Sequence, residues 1–296
     1  MEHSDTSLIQ YLYNLWYEQE EREQRHQALR DKHTVFLTGN IPDLVTWTGG
    51  LIGEKLCASY AFQASGCRLL DIGSRTGTYL SRLQTVYHSA IALDIDLLAL
   101  EKLSKPGPSV FAVGGSALSL PFPDNTFGAA MQNRMLNLTA NIRLALSEAR
   151  RVLVPDGLLF IVTNDRENLS LLRRLHENAQ KAENFPTRFY TRSGVPGQRF
   201  TLQNGQDWLA GAGFAGIEFV IYERVLEFKD LETIMEYYAS GLLFHSSSGF
   251  DEPGTTPESW TRVYRTIEER LKEELAQGRK LQIRDGSALF IARKPG

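Results

Sequence analysis

The rhythm of apolar positions changes along the chain. Leu8, Tyr11, Leu12, Leu15 and Trp16 recur at helical spacing before a charged stretch, which predicts a helix over 6–30. A second helical stretch covers 43–62, after Pro42. From 67 onward, short apolar runs ending in turns take over. CRLLDIG (67–73), AIALDID (90–96), SVFAVGG (109–115), FGAAMQN (127–133) and GLLFIVTN (157–164) predict buried strands of the parallel kind. Helices are expected between them: from Gly77 to about Val86, over LLALEKL (97–103), and over the amphipathic NIRLALSEARRVL (141–153), stopped by Pro155 and Gly157. Strands alternating with helices at this spacing mean βαβ units and a doubly wound, mostly parallel α/β sheet.

The second half is less regular. Residues 166–183 read as helix, 184–200 as loop, 206–212 as a short helix and 216–228 as an alternating strand. Helices are expected at about 230–240 and 257–277, and ALFIARK (288–294) as a last strand. The expected organisation is an N-terminal helical cap (1–64), an α/β core (65–165), an insert or lid (166–200), and a closing part (201–296) with a helical insert at about 230–280.

Composition narrows the classes. The 296 residues carry a net charge of −3, against the basic face that nucleic-acid binding usually needs. No apolar run approaches a membrane span, and the acidic N-terminus is unlike a signal peptide. The two cysteines, Cys57 and Cys67, make neither a metal pair nor a disulfide framework, and no His/Asp/Glu spacing marks a metal site. A cytoplasmic protein acting on a small molecule, as monomer or homodimer, is the expectation.

Ligands of doubly wound sheets bind beyond the C-terminal strand ends. The loop Asp71-Ile72-Gly73-Ser74-Arg75-Thr76-Gly77 ends the first of these strands. Its glycines allow positive φ and close backbone approach, and a following helix would aim free N–H groups at a carboxylate. A dinucleotide fingerprint starting at Gly73 would need glycine where Arg75 and Thr78 stand. A tight strand–helix turn without a ligand is the alternative. Asp94, 23 residues after Asp71, ends the next strand, where a carboxylate can accept both hydroxyls of a ribose. Asp96 beside it suits a helix cap.

With GGSALSLPFPDNTF (114–127) and ALSEARRVLVPDGLLFI (145–161), the chain resembles the class I S-adenosylmethionine (SAM)-dependent methyltransferases. The likeness is to the small-molecule branch that includes ubiquinone and menaquinone C-methyltransferases, and it covers about 65–164. The resemblance implies a seven-stranded Rossmann-like sheet and SAM as cofactor. It implies SAM contacts from Asp71, Gly73, Ser74, Arg75, Gly77, Asp94, Ile95, Ser116, Ala117 and Asn133. A narrower likeness of TNDRENLSLLRRL (163–175) and RFTLQNGQDWLAGAGF (199–214) is to a bacterial subgroup with inserted helices.

Departures from the family pattern are specific. Arg75 stands at the middle glycine of the loop, Ser116 at the adenine-contacting Asp, Gly128 at an acidic position, and Asn137 and Leu138 where histidines are common. Ser116 can still accept from an adenine amine. Arg75 either points outward or clamps a carboxylate. Methyl transfer from a sulfonium needs positioning more than a catalytic pair. Asn133, Arg134 and Asn137 are candidates to position the acceptor, or else form a turn network. His33 and Tyr190 are candidate bases, with surface or packing roles as the alternative. Beside transfer of a methyl group, two rival readings stand: non-methyl SAM chemistry releasing methylthioadenosine, and a non-catalytic SAM-binding scaffold.

Overall fold

The computed structural model describes residues 5–17, 19–35, 43–103, 109–165, 169–186, 199–241 and 253–296. They divide into two compact units. Unit 1 is drawn from 1–39, 167–195 and 223–285, and unit 2 from 40–166, 196–222 and 286–296.

Unit 1 is mainly helical: α1 (Asp5–Tyr17), α2 (Gln19–His33), α7 (Ser170–Ala182), α9 (Leu231–Gly241) and α10 (Pro257–Ala276). The helix expected over 6–30 is found on both sides of residue 18, which lies outside the described residues. Leu8, Leu12 and Leu15 of α1 fall on one stripe and are buried with Ile234, Tyr238, Trp260, Val263 and Ile267. Thr256 and Ser259 close a reciprocal cap on α10, with Pro257 in its first turn. The two-residue strand β1 (Thr34–Val35) pairs antiparallel with Leu226 and Val225. A buried ion pair, Arg224 Nε to Asp285 Oδ2 at 2.6 Å, joins the unit 1 parts of two long strands.

Those strands are β7 (Ala215–Phe228) and β8 (Leu281–Arg293), and each runs from one unit into the other. Unit 2 also contains α3 (Leu44–Ala58), α4 (Tyr60–Ala64), β2 (Arg68–Ile72), β3 (Ser89–Asp94), α5 (Leu97–Glu101), β4 (Val110–Gly114), β5 (Phe127–Met131), α6 (Ile142–Val152), β6 (Leu153–Asn164) and α8 (Gly205–Gly211). The strand order is β1-β7-β8-β6-β5-β2-β3-β4. The pairs β6–β5, β5–β2, β2–β3 and β3–β4 are parallel, and β6–β8 is antiparallel. This is the doubly wound, mostly parallel sheet expected from the alternation, with the short β1 added at one edge.

Each face of the unit 2 sheet carries its own core. Leu70, Ile72, Leu93, Ala130, Leu159 and Ile161 pack with Ala145, Leu146 and Ala149 of α6. On the other face Leu69, Ala92, Ala129, Met131 and Phe160 pack with Ile52 and Leu56 of α3 and Phe62 of α4. Two-sided burial is why these strands read as unbroken apolar runs. Asn141 caps α6, its Oδ1 accepting from Leu144 N–H at 3.0 Å. The helix gives way to β6 at Leu153, two residues before Pro155.

The helix expected from Gly77 to Val86 is not formed. A 3₁₀ turn spans Leu80–Arg82, and Arg82 and Leu83 donate to Tyr79 and Leu80, three residues back. α3 lies close here, since a Cβ on Gly49 would stand 3.0 Å from Arg82 Cβ. Gly128, at the family's acidic position, has a packing reason: its Cβ would meet Ser65 Oγ at 2.2 Å and Phe62 Cα at 2.6 Å. No side chain fits between β5 and the end of α4. Gly128→Ala should therefore cost about 1–3 kcal/mol of stability in urea unfolding, and a variant as stable as the wild type would contradict that packing.

Candidate functional site

The site is built at the C-terminal ends of β2, β3 and β5. After Ile72 the chain turns back over β3: Gly73 N–H and Ser74 N–H both donate to Leu93 O, at 2.8 and 3.1 Å, and Gly77 N–H donates to Ser74 O at 2.9 Å. The turn needs positive φ at Gly73 (76°), Arg75 (48°) and Gly77 (74°). Gly73 also has no room for a side chain, because its Cβ would lie 2.8 Å from Met135 Cβ. Arg75 holds a left-handed conformation that favours glycine, at a cost of about 1–2 kcal/mol. Its N–H donates to Asp94 Oδ2 at 2.8 Å, a charge-assisted bond that offsets the strain. Its side chain is exposed.

Asp94 is buried, and its other oxygen, Oδ1, accepts from Asp96 N–H at 2.9 Å. Each carboxylate oxygen keeps a second lone pair for a ligand hydroxyl. Asp96 is the cap of α5, its Oδ1 accepting from Ala99 N–H at 3.1 Å. Ile95 between them is 78% exposed, an apolar side chain offered at the strand end. Gly115 N–H returns to Asp94 O at 2.9 Å, Ser116 Oγ accepts from Leu118 N–H at 3.2 Å, and Ala117 is buried.

The LPFPDN stretch is held by a charged clasp. Glu148 Oε2 accepts Leu120 N–H at 2.7 Å, while Arg151 donates to Glu148, Asp124 and the carbonyls of Leu120 and Phe122. Arg151 holds the Glu148 carboxyl below its ordinary range.

Asp71 and Asn133 share a face with Asp94. The register sets Asp71 opposite Ala92 and Met131, so Asp94 and Asn133 stand two residues further along the flanking strands. Alternation puts all three side chains on the α3 side. Burial pushes the Asp71 carboxyl up to about 7; the Ser74 hydroxyl works against this and the Asp94 charge adds to it. Asn133 is 8% exposed, and neither its Oδ1 nor its Nδ2 has a hydrogen-bond partner. Buried amides are ordinarily satisfied, so this pair of atoms fits a ligand. No helix stands behind the turn, and the N–H groups of Gly73, Ser74, Arg75 and Gly77 are donated within the protein, so the helix end that the sequence led us to expect is not formed.

The remaining candidates fall elsewhere. Arg134 follows Asn133 with φ 58°, its N–H on Val162 O and its side chain exposed. Asn137 is engaged with the backbone: Nδ2 donates to Phe200 O and Oδ1 accepts Phe200 N–H, both at 2.9 Å. That is the turn-network role, and it occupies the amide that was a candidate to position the acceptor. His33 belongs to unit 1, stacked on Phe228 with centroids 5.0 Å apart and Nδ1 3.3 Å from Glu227 O. Tyr190 lies outside the described residues. One strand end was passed over in the sequence. Asn164 and Asp165 close β6, and buried Asp165 accepts from Gln203 Nε2. The strand-end rule that selected Asp71 and Asp94 also reaches TND (163–165). Among the described residues, no three His, Cys, Asp or Glu side chains cluster as metal ligands, and no helix is long and apolar enough to cross a membrane.

Residues 70–161 match a family model described as a methyltransferase domain. A demethylmenaquinone methyltransferase of Renibacterium salmoninarum is 26% identical over 52% of this chain and 69% of that protein. A malonyl-[acyl-carrier protein] O-methyltransferase of Erwinia pyrifoliae is 30% identical over 38% of this chain and 42% of that protein. The bifunctional biotin biosynthesis protein BioHC of Cellvibrio japonicus is 32% identical over 42% of this chain but only 25% of its own length. The chain thus spans less than half of the latter two relatives. Among solved structures, a Bacillus halodurans protein described as a methyltransferase aligns with TM-score 0.53 and 20% identity, over 82% of this chain and all of that one. YcgJ of Bacillus subtilis aligns at 0.52 and 17%, over 84% and 98%. These likenesses are of fold.

The raised Asp71 carboxyl sets a pH dependence of stability. In the unfolded chain it ionises near its ordinary 3.8, and in the fold near about 7. Between these values the native state holds the extra proton, so stability falls as pH rises and the loss is complete above about 7. Asp71→Asn, neutral at every pH, should therefore gain in melting temperature over wild type as pH rises from about 4 to about 7. An equal difference at acid and alkaline pH would contradict the assignment.

Proposed function

This chain carries a class I SAM-dependent methyltransferase domain, and from that premise we propose that it transfers a methyl group to a small-molecule acceptor, bound beyond the ends of β2, β3 and β5. The observation that carries the reading is the Asn133 amide, buried and without a partner on the face shared by Asp71 and Asp94. It stands beside a turn that only a left-handed backbone can make.

SAM when bound supplies an activated methyl group on a sulfonium. The chain's own residues have separate tasks. Asp94 keeps lone pairs for the ribose hydroxyls while its backbone bonds hold the turn shut. Exposed Ile95 offers an apolar surface to the adenine, and Ser116 and Ala117 border it from the next strand end. Gly73, Ser74, Arg75 and Gly77 bring backbone to the amino-acid end, and the missing side chain of Gly73 keeps that approach open. Asp71 offers a carboxyl to the ligand's ammonium. On this reading the Asn133 amide orients the same end with its Oδ1 and Nδ2, and Arg134 next to it is our candidate to hold the acceptor. In-line displacement gains most from such positioning and from exclusion of water. A small acceptor is supported by the net charge of −3, which disfavours nucleic acid, and by the relatives' names, which include demethylmenaquinone as the methylated compound.

Two measurements test this. In calorimetry, Asp94→Ala should weaken SAM binding by more than about tenfold, or about 1.4 kcal/mol, and unchanged affinity would show that the ribose lies elsewhere. Mass spectrometry of reactions with SAM and a panel of quinone, phenol and carboxylic acid acceptors should find S-adenosylhomocysteine with a product heavier by one methylene. Methylthioadenosine as the enzymatic product would overturn methyl transfer in favour of other SAM chemistry.

A further inference from the structure

The proposed SAM site brings together two buried carboxyl groups and a buried neutral amide. Asp71 on β2 and Asp94 on β3 lie on one face of adjacent parallel strands, and Asn133 flanks Asp71 from β5. All three are buried. Asp94 accepts a backbone N–H on each of its two carboxylate oxygens. Asp71 has no such support: burial, the Ser74 hydroxyl and the Asp94 charge are what act on it.

Among the described residues, no cation acts appreciably on the Asp71 carboxyl. Asp94 comes from β3, and Tyr87, whose buried hydroxyl has no hydrogen-bond partner, from the turn before it. Burial and the neighbouring Asp71 raise the Tyr87 hydroxyl too, which keeps it neutral. β5 and the residues that follow it supply neutral Met131 and Asn133. On α3, Lys55 is paired with Glu218 at 2.7 Å, Glu54 is exposed, and Asp43 caps its own helix under the influence of Arg82. Arg75 turns its backbone N–H to Asp94 and has an exposed side chain.

Burial makes charge costly at Asp71 and the Asp94 charge adds to that, so without a ligand the Asp71 carboxyl is pushed up to about 7. A ligand that brings positive charge into the same volume reverses the balance, because an opposite charge beside a carboxyl favours its ionised form. SAM brings two, an ammonium and a sulfonium. Resting on the SAM reading above, we propose that cofactor binding is coupled to release of the Asp71 proton to solvent, which makes the occupancy of this site sensitive to pH near neutrality. In that exchange Asp71 loses a proton to water or buffer, and the carboxylate takes the ligand's ammonium as its new partner. Affinity then rises with pH until the empty site is already deprotonated. The buried Asn133 amide, with no partner in the protein, is the second and independent mark that this cluster faces a ligand rather than an internal ion pair.

The test is titration calorimetry of the intact protein with SAM, in buffers of different ionisation enthalpy, at about pH 6, 7 and 8. The expected result is release of about half a proton per SAM near pH 7, and affinity about tenfold weaker at pH 6 than at pH 8. In Asp71→Asn that release and that pH dependence should vanish. The free ligand's amine is titrated separately, so that its own proton uptake is subtracted for each protein. Tight SAM binding with heats that do not depend on the buffer would overturn the coupling while leaving the SAM site standing. The same proton release in Asp71→Asn would also overturn it, by assigning the proton to another group. Should the variant fail to fold, the buffer dependence of the wild type alone decides. Absence of SAM binding at millimolar ligand and pH 8 would instead defeat the underlying functional reading.

Discussion

One carboxylate ties the functional end of unit 2 together. Asp94 accepts the Arg75 N–H of the turn after β2 with one oxygen and the Asp96 N–H that opens α5 with the other. Two adjacent strand ends are thereby locked to each other at the point where a parallel sheet exposes its ligand-binding edge. The backbone bonds from Gly73 and Ser74 to Leu93 act at the same place. A left-handed arginine is tolerable in the turn because this bond stands behind it. The group that shapes the turn is also the one proposed to take the ribose, so on that proposal shape and binding meet in a single side chain.

The rest of the site follows from alternation along parallel strands. Once β2, β3 and β5 are paired in their observed register, Asp71, Asp94 and Asn133 must share a face. The apolar residues of that face pack with α3 and α4, and both carboxyl groups are buried. Burial therefore does two things at once. It stabilises the sheet through its apolar neighbours, and it leaves Asp71 in a setting where charge is costly. Such a tension is common where a protein keeps a polar group for a ligand instead of for its own fold.

Much of this could be read from the sequence, for physical reasons. The buried strands show as short apolar runs because both faces are covered, and each ends at a recognisable turn. Asp71, Gly73, Gly77 and Asp94 stand out because strand ends are few and their chemistry is exposed in the spacing. Three features escaped. The sequence leaves both readings of Asn137 open, and the bond that decides between them is to Phe200, a partner 63 residues away that no local pattern reveals. The start of β8 was missed because Arg284 and Asp285 look like loop, whereas Asp285 is buried against Arg224, 61 residues earlier. The stretch after Gly77 has residues that suit a helix, yet close packing against α3 leaves it as a 3₁₀ turn.

The central claim is that SAM lies across the ends of β2, β3 and β5, and its most direct test is a crystal structure of the protein with S-adenosylhomocysteine. The account predicts ribose hydroxyls on the Asp94 carboxylate and the amino-acid end between Asp71, the Gly73 turn and Asn133. Density for the ligand anywhere else, with Asn133 still unpartnered, would contradict it.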